Sequence, residues 1–298
     1  MPHAIVTGGS SGIGLALVRR LVARGDRVSV LALDDDDLAA LAAEPPVGRH
    51  RVRLEPVDVG DRLAVEAAVQ RASAEHGACD LLITAAGVVR PGRFLELDPD
   101  EFERHLTVNY LGTLWAARAV APGMVERGRG SIAMIASFAA VLGVYGYTAY
   151  APSKYAVRGL AETLRTELRP HGIDVACVFP TDVDTPMLAA EEPLKPPELR
   201  ALSSTAHVLS ADQVAEIVMA GVARRRPWIL CDRRSASLAR LAAVAPGLSR
   251  RIVDRSVRRS ATGPGGALER RLDPGLSEPP ASRPDRRGAS GGDVGAPS

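Results

Sequence analysis

The chain has 298 residues, of which 46% are hydrophobic and 24% are charged, and its formal net charge is +2. A chain of this length and apolar content can bury a sizeable core as one large α/β domain. The near-neutral total gives no reason to expect a nucleic-acid partner. Three widely separated cysteines, Cys79, Cys177 and Cys231, lack CxxC spacing, which predicts buried thiols in a reducing compartment and no metal site.

The first residues, "MPHAIVTGG", contain no basic region or long apolar stretch, so we expect a cytoplasmic rather than a secreted protein. Residues 130–153 carry no charge and are numerous enough to span a bilayer. The run "SIAMIAS" and the Gly, Tyr and Thr residues that follow it are instead typical of a buried strand and a loop.

Short apolar runs alternate with helical patterns from "HAIVTG" to "DLLITAAG". This rhythm predicts parallel strands joined by crossover helices, which is a doubly wound parallel sheet, or Rossmann fold, of the α/β class. The pattern continues through a long helix over 99–126, the strand "SIAMIAS", a helix over about 151–168 and the strand "IDVACVFP". A helix, "ADQVAEIVMAGVAR", and a strand, "PWILC", complete one predicted domain over residues 1–232.

The composition changes twice after residue 232. Residues 233–260 form a basic amphipathic segment, in which arginines surround a helical stripe of Leu248, Ile252 and Val257. Such a helix either lies on an anionic membrane surface or packs against its own domain, and the sequence leaves both open. Residues 261–298 are rich in Gly, Pro, Ser, Ala and Arg, which is typical of a disordered tail.

A glycine-rich turn, "VTGGSSGIG", follows the first strand and opens the first helix, with Gly8, Gly12 and Gly14 at TGxxxGxG spacing. Glycines allow the backbone to approach a pyrophosphate, whose charge meets the N–H groups of the helix. The position at the start of a βαβ series favours a dinucleotide site over an ordinary tight turn. Asp58 and the run 84–87 follow later strands, where ligands of open sheets bind, although Asp58 would equally serve as a helix cap.

Tyr150 and Lys154 are four residues apart in a predicted helix and therefore share one face. A nearby cation lowers the pKa of a phenol, which suits acid–base chemistry on a carbonyl or an alcohol. Ser137 ends the preceding strand, and Asn109 is a polar residue among apolar ones in the long helix. The combination with the glycine turn favours a catalytic pair over a surface pair.

The pieces "TGGSSGIG", "DV", "AAG", "VNYLG", Ser137 and "YAPSK" resemble the short-chain dehydrogenase/reductase family over about residues 3–232. The resemblance implies that Tyr150 is the catalytic acid or base and that Ser137 orients the carbonyl. It also implies that Lys154 binds the nicotinamide ribose and lowers the pKa of Tyr150, and that Asn109 holds a water of the proton relay. The implied cofactor-binding residues are Thr7, Gly8, Ser10, Ser11, Gly12, Ile13, Gly14, Asp34, Asp58, Val59, Ala86, Gly87, Asn109, Tyr150, Lys154, Pro180, Val183 and Thr185.

Two positions depart from the pattern of the family. Thr84 stands in "TAAG" where the family has asparagine, and Thr181 stands in "FPTDVDTP" where the family has glycine. We expect the first change to weaken contacts between strands without removing the chemistry.

The stretches "GVYGYTAYAPSKYAVRGLAETLRTELRP" and "FPTDVDTPMLAAEEPLKP" resemble the 3-ketosphinganine reductase subgroup of this family. The implied reaction is hydride transfer to the C3 ketone of a long-chain 2-amino-3-ketone, a small lipid-like substrate. Tyr145 and Tyr147 would form an apolar wall beside Ser137 and Tyr150 at the substrate site. Asp182 and Asp184 either meet the substrate ammonium or cap the turn at Thr185.

The resemblance implies NADP(H), but Leu33 and Asp34 stand where a basic residue would meet the 2′-phosphate. The carboxylates of residues 34–37 would repel a phosphate and suit the ribose hydroxyls of NAD(H), unless they only cap the next helix. NADP(H) is therefore predicted by resemblance, with NAD(H) as the alternative. Arg53 and Ser11 are the other candidates to bind the phosphate.

The helices over 99–126 and 151–168 carry apolar and small residues on several sides, which predicts a homodimer or homotetramer. Two other functions stay open from the sequence. A reductase of the same family acting on another lipophilic carbonyl, such as a steroid or fatty acyl ketone, would share every catalytic residue. A nucleotide-sensing interaction protein on the same fold would usually lack the Tyr150 and Lys154 pair.

Overall fold

A computed structural model of the protein describes residues 1–33, 35–43, 51–203 and 207–261. The strands of this part are β1 His3–Thr7, β2 Arg27–Ala32, β3 Val52–Pro56, β4 Leu81–Thr84, β5 Gly130–Ile135, β6 Ile173–Phe179, β7 Val183–Asp184, β8 Leu209–Ser210 and β9 Trp228–Leu230. The α-helices are α1 Gly12–Arg24, α2 Asp36–Ala43, α3 Arg62–His76, α4 Pro99–His105, α5 Gly112–Arg127, α6 Tyr150–Leu168, α7 Pro186–Glu191, α8 Pro197–Ser203, α9 Ala211–Ala223, α10 Arg233–Val244 and α11 Pro246–Ala261.

Seven strands form one parallel sheet in the order β3-β2-β1-β4-β5-β6-β9. The chain order reverses between β1 and β4, where Thr7 and Thr84 are paired at the ends of the two strands. A ligand of a doubly wound sheet binds in the crevice at this reversal. The predicted Rossmann fold is confirmed.

Two apolar layers cover the faces of the sheet. One layer packs α1 and α9 on the sheet through residues such as Leu17 and Val214, and the other packs α3, α5 and α6 through residues such as Val65 and Val157. Every residue of β1 is buried as a result. Strands covered on both faces are expected to be continuous apolar runs, which is the pattern that made them recognisable.

The predicted helix over 99–126 is not one α-helix. A π-helical turn over Leu106–Leu111 separates α4 from α5, and the N–H of Gly112 donates to the carbonyl of Thr107, five residues earlier. Asn109 lies in this turn and is fully buried. Single π-helical turns are frequently found at functional sites because they redirect the side chains on either side.

A segment between β6 and α9 lies at the carboxyl ends of the strands. It contains the short parallel pair of β7 and β8, then α7, a 3₁₀ turn over Glu192–Leu194 and α8. Thr185 caps α7 by accepting a hydrogen bond from the N–H of Leu188 at 3.3 Å. This segment therefore places its side chains beside the crevice of the sheet.

The basic segment over 233–260 forms the two helices α10 and α11, which are separated near Pro246. α10 contacts β9, and α11 contacts both α10 and α8. The boundary at residue 232 stays a prediction. The predicted tail over 261–298 lies outside the described residues beyond position 261.

Residues 130–153 form β5, a 3₁₀ turn, a loop and the first turn of α6. No helix in the described ranges combines the length and the apolar content that crossing a membrane requires. Cys79, Cys177 and Cys231 are buried and form no disulfide bond.

Candidate active site

The glycine turn packs so closely that side chains are excluded. A Cβ at Gly14 would lie 2.0 Å from the carbonyl oxygen of Gly8, and a Cβ at Gly8 would lie 2.6 Å from the backbone nitrogen of Ala86. Gly8 also has a φ of +65°, which L side chains rarely adopt. Ser11 precedes α1 without capping it through its side chain, so the first N–H groups of the helix have no such partner. This cradle fits the pyrophosphate of a dinucleotide.

The turn forms one end of a cavity of about 480 Å³ at the carboxyl edge of the sheet. Most of the predicted site residues line this cavity: Gly8, Ser11, Gly12, Ile13, Gly14, Ala86, Gly87, Ser137, Tyr147, Tyr150, Lys154, Pro180, Val183 and Thr185. The predicted residues that do not line it are Thr7, Ser10, Asp58, Val59, Asn109 and Tyr145. Asp34 lies outside the described residues.

Several of the residues outside the cavity have structural contacts instead. The hydroxyl of Thr7 accepts from the N–H of Ala86 at 3.3 Å, which joins β1 to the loop after β4. The exposed carboxylate of Asp58 accepts from the N–H of Gly60 at 2.8 Å. Asp61, not Asp58, caps α3 by accepting from Ala64. A cofactor contact of Thr7 or Asp58 stays a prediction.

Ser137, Tyr150 and Lys154 meet in the cavity. Ser137 follows β5, and its hydroxyl accepts from the N–H of Ala139 at 3.1 Å while it also hydrogen-bonds with Tyr150. Lys154 lies one helical turn after Tyr150 on α6, with its ammonium 5.8 Å from the centre of the Tyr150 ring. That ammonium donates to the carbonyl of Ile135 at 3.1 Å. The three side chains thus have the proximity that proton transfer at a carbonyl requires.

The pKa of Tyr150 moves in the opposite direction to the expectation. Burial raises this pKa to about 12, the Ser137 hydrogen bond opposes the rise, and Glu191 and Asp182 add to it. Burial lowers the pKa of Lys154 to about 8, and its ammonium donates to the carbonyl of Ile135. Tyr150 is therefore protonated at neutral pH, which suits a proton donor in reduction.

Asn109 connects three parts of the site. Its amide donates to the carbonyl of Val88 at 3.0 Å and to the hydroxyl of Ser153 at 2.9 Å, and its oxygen accepts from the N–H of Val88 at 2.8 Å. A Cβ at Gly87 would lie 3.1 Å from the Asn109 oxygen and 3.3 Å from the Lys154 nitrogen. Asn109 thus joins the loop after β4 to α6, while its predicted relay water stays a prediction.

A second group of polar side chains lies next to Tyr150. The ring of Tyr147 is centred 5.2 Å from that of Tyr150, and its hydroxyl donates to Glu191 at 3.0 Å. The buried ammonium of Lys195 lies 3.3 Å from Glu191. Burial raises the pKa of Glu191. Sequence reasoning missed Glu191, although its i, i+4 spacing to Lys195 was a visible signal.

The acidic and aromatic residues expected to contact the substrate differ in whether they line the cavity. Asp182 lines the cavity, and burial raises its pKa, whereas Asp184 is exposed and does not line the cavity. Tyr147 lines the cavity, whereas the hydroxyl of Tyr145 accepts from Arg93 at 3.2 Å. Tyr145 therefore lies in a groove adjacent to the catalytic cavity, where Arg93 holds its hydroxyl, and its contact with the substrate stays a prediction.

Two further residues of the site had no signal in the sequence. The buried ring of His105 is centred 6.3 Å from that of Tyr150, and its Nε2 accepts from the N–H of Arg90 at 3.0 Å. Leu238 of α10 lines the cavity although it lies 84 residues after Lys154. No group of His, Cys, Asp and Glu suited to a metal ion is present among the described residues.

The family model of the short chain dehydrogenases matches residues 2–195. A 3-dehydrosphinganine reductase of Danio rerio is 39% identical over 222 residues, which cover 73% of this chain and 67% of that protein. The chain belongs to the short-chain dehydrogenase family. A 3-ketodihydrosphingosine reductase of Dictyostelium discoideum is 35% identical over 238 residues, covering 74% and 71% of the two chains. The resemblance to the 3-ketosphinganine reductase subgroup is confirmed.

Solved structures agree with this assignment. Levodione reductase superposes with a TM-score of 0.71 at 23% identity, covering 79% of this chain and 98% of that one, which supports the fold. A short-chain dehydrogenase of Sphingobium yanoikuyae in complex with NADPH has a TM-score of 0.70 at 27% identity, covering 85% and 96%. This short-chain dehydrogenase is therefore an oxidoreductase that acts on a ketone or alcohol group with a nicotinamide dinucleotide.

Proposed function

We propose that this short-chain dehydrogenase reduces 3-ketosphinganine to sphinganine with NAD(P)H. One observation carries the proposal: a single cavity joins the phenol of Tyr150, the carboxylates of Asp182 and Glu191, and an apolar wall. The apolar wall contains Phe138, Val144, Met187, Leu188, Leu199, Leu202 and Leu238. These three features are complementary to the ketone, the ammonium and the first methylenes of the alkyl chain of a long-chain 2-amino-3-ketone. The names of the similar reductases from several species support this substrate.

The side chains divide the work of the reduction. The bound nicotinamide would supply the hydride. Ser137 orients the ketone oxygen through its hydroxyl, and Tyr150, protonated at neutral pH, donates a proton to the developing alkoxide. The buried Lys154 ammonium, 5.8 Å from the centre of the Tyr150 ring, would supply positive charge near this oxygen when it is protonated. A positive charge in a poorly solvated cavity stabilises the alkoxide more than it would in water.

The charge near the end of β2 bears on the choice between the two cofactors. Leu33 is 56% exposed there, and the carboxylate of Asp35 accepts from the N–H of Leu38, which makes it a cap of α2. Arg53, a candidate for the 2′-phosphate, forms ion pairs with Glu55 and Glu75. NADP(H) remains the cofactor proposed by resemblance, and the NADPH-bound relative supports it. Because the carboxylates of residues 34–37 would repel a 2′-phosphate, we expect the protein to accept NAD(H) as well.

The proposed function is tested with purified protein, 3-ketosphinganine and each reduced cofactor in turn. We expect sphinganine with both cofactors, and kcat/KM values for NADPH and NADH within about tenfold of each other, a difference of about 1.4 kcal/mol. The measurement is product formation by mass spectrometry together with the loss of reduced-nicotinamide absorbance. A much stronger preference for NADPH would assign the phosphate contact to Ser11 or another residue of the turn.

The same assay separates the proposed substrate from the alternatives. Reduction of steroid or fatty acyl ketones without reduction of 3-ketosphinganine would contradict the proposed substrate and leave the ketone reductase. Cofactor binding without reduction of any of these ketones would favour a nucleotide-sensing protein.

We also propose a cytoplasmic homo-oligomer, a dimer or tetramer, that contacts the anionic membrane surface through α11. Three observations support this proposal. The cysteines are reduced, Leu106 beside α5 is an exposed apolar side chain, and Arg250, Arg251 and Arg255 are exposed on α11. Charges of this kind contribute about 1 kcal/mol each at such a membrane.

The membrane contact is tested by changing the three exposed arginines of α11 to glutamate in the full chain. We expect wild-type protein to float with vesicles that contain phosphatidylserine and the variant to remain at the bottom of the gradient. Loss of three arginine contacts, about 3 kcal/mol of binding free energy, should lower the affinity for these vesicles roughly 100-fold. Light scattering is the control, because both proteins should have the same oligomeric mass. Equal flotation of the two proteins would contradict the contact.

A further inference from the structure

A second concave surface lies next to the catalytic cavity, between α6 and α11. We call it the α6–α11 groove; it has a volume of about 1020 Å³ and is lined by Val144, Tyr147, Ala151, Pro152, Tyr155 and Val257 among others. Asp254 is the one charged side chain that lines it in the described part of the chain. Tyr155 is 41% exposed to solvent there. A largely apolar surface of this kind indicates a binding site for an apolar group.

The groove adjoins the catalytic cavity. Val144 and Tyr147 line both spaces and lie between them, and the Tyr147 ring is centred 5.2 Å from that of Tyr150. The groove therefore begins one side chain away from the reacting phenol. On its outer side, α11 contacts α8, whose Leu199 belongs to the catalytic cavity.

The size of the catalytic cavity argues that a long substrate must leave it. The cavity of about 480 Å³ extends from the glycine turn, which would hold part of the cofactor, to Ser137 and Tyr150, where the ketone would bind. A single drug-sized ligand fills a pocket of about 300–1,000 Å³. A cavity of this size that holds part of the cofactor and the head of the substrate therefore has little room for a long alkyl chain. A long alkyl chain needs further apolar surface, and the groove lies on the other side of Val144 and Tyr147 from the catalytic cavity.

We propose that the α6–α11 groove binds the alkyl chain of the substrate. The ketone lies at Tyr150, and the chain passes Val144 and Tyr147 and continues between Tyr155 of α6 and Val257 of α11. This inference rests on the proposed function, because it takes the substrate to be a long-chain aminoketone. It assigns a role in substrate selection to the basic C-terminal helix.

The test compares two substrates with the full-length protein: 3-ketosphinganine and a homologue whose alkyl chain ends after a propyl group. The measured quantity is the ratio of kcat/KM for the long substrate to kcat/KM for the short one. Wild-type protein should have a ratio well above one, because each buried methylene favours binding. In Val257→Asp, which places a charge in the groove, the ratio should fall by about tenfold or more.

Two further variants separate the groove from general damage. Val257→Trp keeps an apolar residue on α11 but fills the groove, and it should lower the ratio in the same way. Val244→Asp makes the same substitution at a residue that is 86% exposed and does not line the groove, and its ratio should equal that of the wild type.

The possible outcomes decide between the inference and its alternatives. A ratio that stays at the wild-type value in both Val257 variants overturns the groove as the chain site, even if both rates fall. If that result accompanies a change in oligomeric mass, the groove belongs to a contact with a second copy. Wild-type protein that reduces neither aminoketone overturns the proposed function together with the groove. Wild-type protein that reduces both at similar kcat/KM overturns the groove alone.

Discussion

Tyr150→Phe should lower kcat for ketone reduction by roughly 10²- to 10⁴-fold, the usual contribution of a positioned acid. The substitution removes the proton donor and leaves the ring, so the contact with the Tyr147 ring, centred 5.2 Å away, is retained. Because the glycine turn lies elsewhere in the cavity, the dissociation constant of the reduced cofactor should change little. Steady-state kinetics and cofactor fluorescence titration measure the two quantities.

Tyr110→Phe is the matched control for this prediction. It removes the same hydroxyl from a side chain that lines neither the catalytic cavity nor the α6–α11 groove. Its kcat should equal that of the wild type. A Tyr150→Phe protein that retained the full rate would show that the proton comes from another group.

The fold and the catalytic trio could be predicted because local patterns specify them. The buried strands are continuous apolar runs, and the turn from Gly8 to Gly14 allows no Cβ at either end. Tyr150 and Lys154 share a helix face by spacing alone. Each of these features depends on residues that are close together in the chain.

The rest of the site depends on contacts between distant residues. Nothing in the apolar periodicity distinguishes the π-helical turn at Asn109 from α-helix, because the change concerns hydrogen bonds rather than side-chain pattern. Tyr145 and Tyr147 are similar in sequence, and the difference between them comes from Arg93, which is held by Glu198 at 3.1 Å. The raised pKa of Tyr150 follows from burial and from two carboxylates in a segment beyond β6.

Those two carboxylates lead to the second large effect, which concerns recognition of the substrate ammonium. Asp182 and Glu191 line the cavity, and their proximity to Tyr150 is sufficient to raise its pKa. Lys195 forms an ion pair with Glu191 at 3.3 Å, and its charge also opposes the rise in the pKa of Asp182. Within the described ranges the Asp182 carboxylate has no hydrogen bond and no ion pair within 4 Å, so it can pair with an ammonium.

Asp182→Asn should therefore lower kcat/KM for 3-ketosphinganine by roughly 10- to 100-fold, the value of about 1.5–3 kcal/mol for a hydrogen bond to a charged group. The loss should appear mainly as a higher KM, with little change in kcat. Turnover of a long-chain 3-ketone without the amine should stay unchanged, because no ammonium is present to bind. Glu191→Gln keeps an acceptor for Tyr147 and should show a smaller loss of the same kind, since Lys195 already neutralises part of its charge.

Asp184→Asn is the control that the chain offers, because it makes the same substitution two residues later at an exposed carboxylate outside the cavity. It should leave kcat/KM for both substrates unchanged.

Burial raises the pKa values of Asp182 and Glu191, so both carboxylates gain protons at a higher pH than exposed ones as the solution is acidified. The preference for the amine-bearing ketone should accordingly weaken as the pH falls through these raised values. Equal losses on both ketones in Asp182→Asn would show that this carboxylate supports the cavity rather than the ammonium.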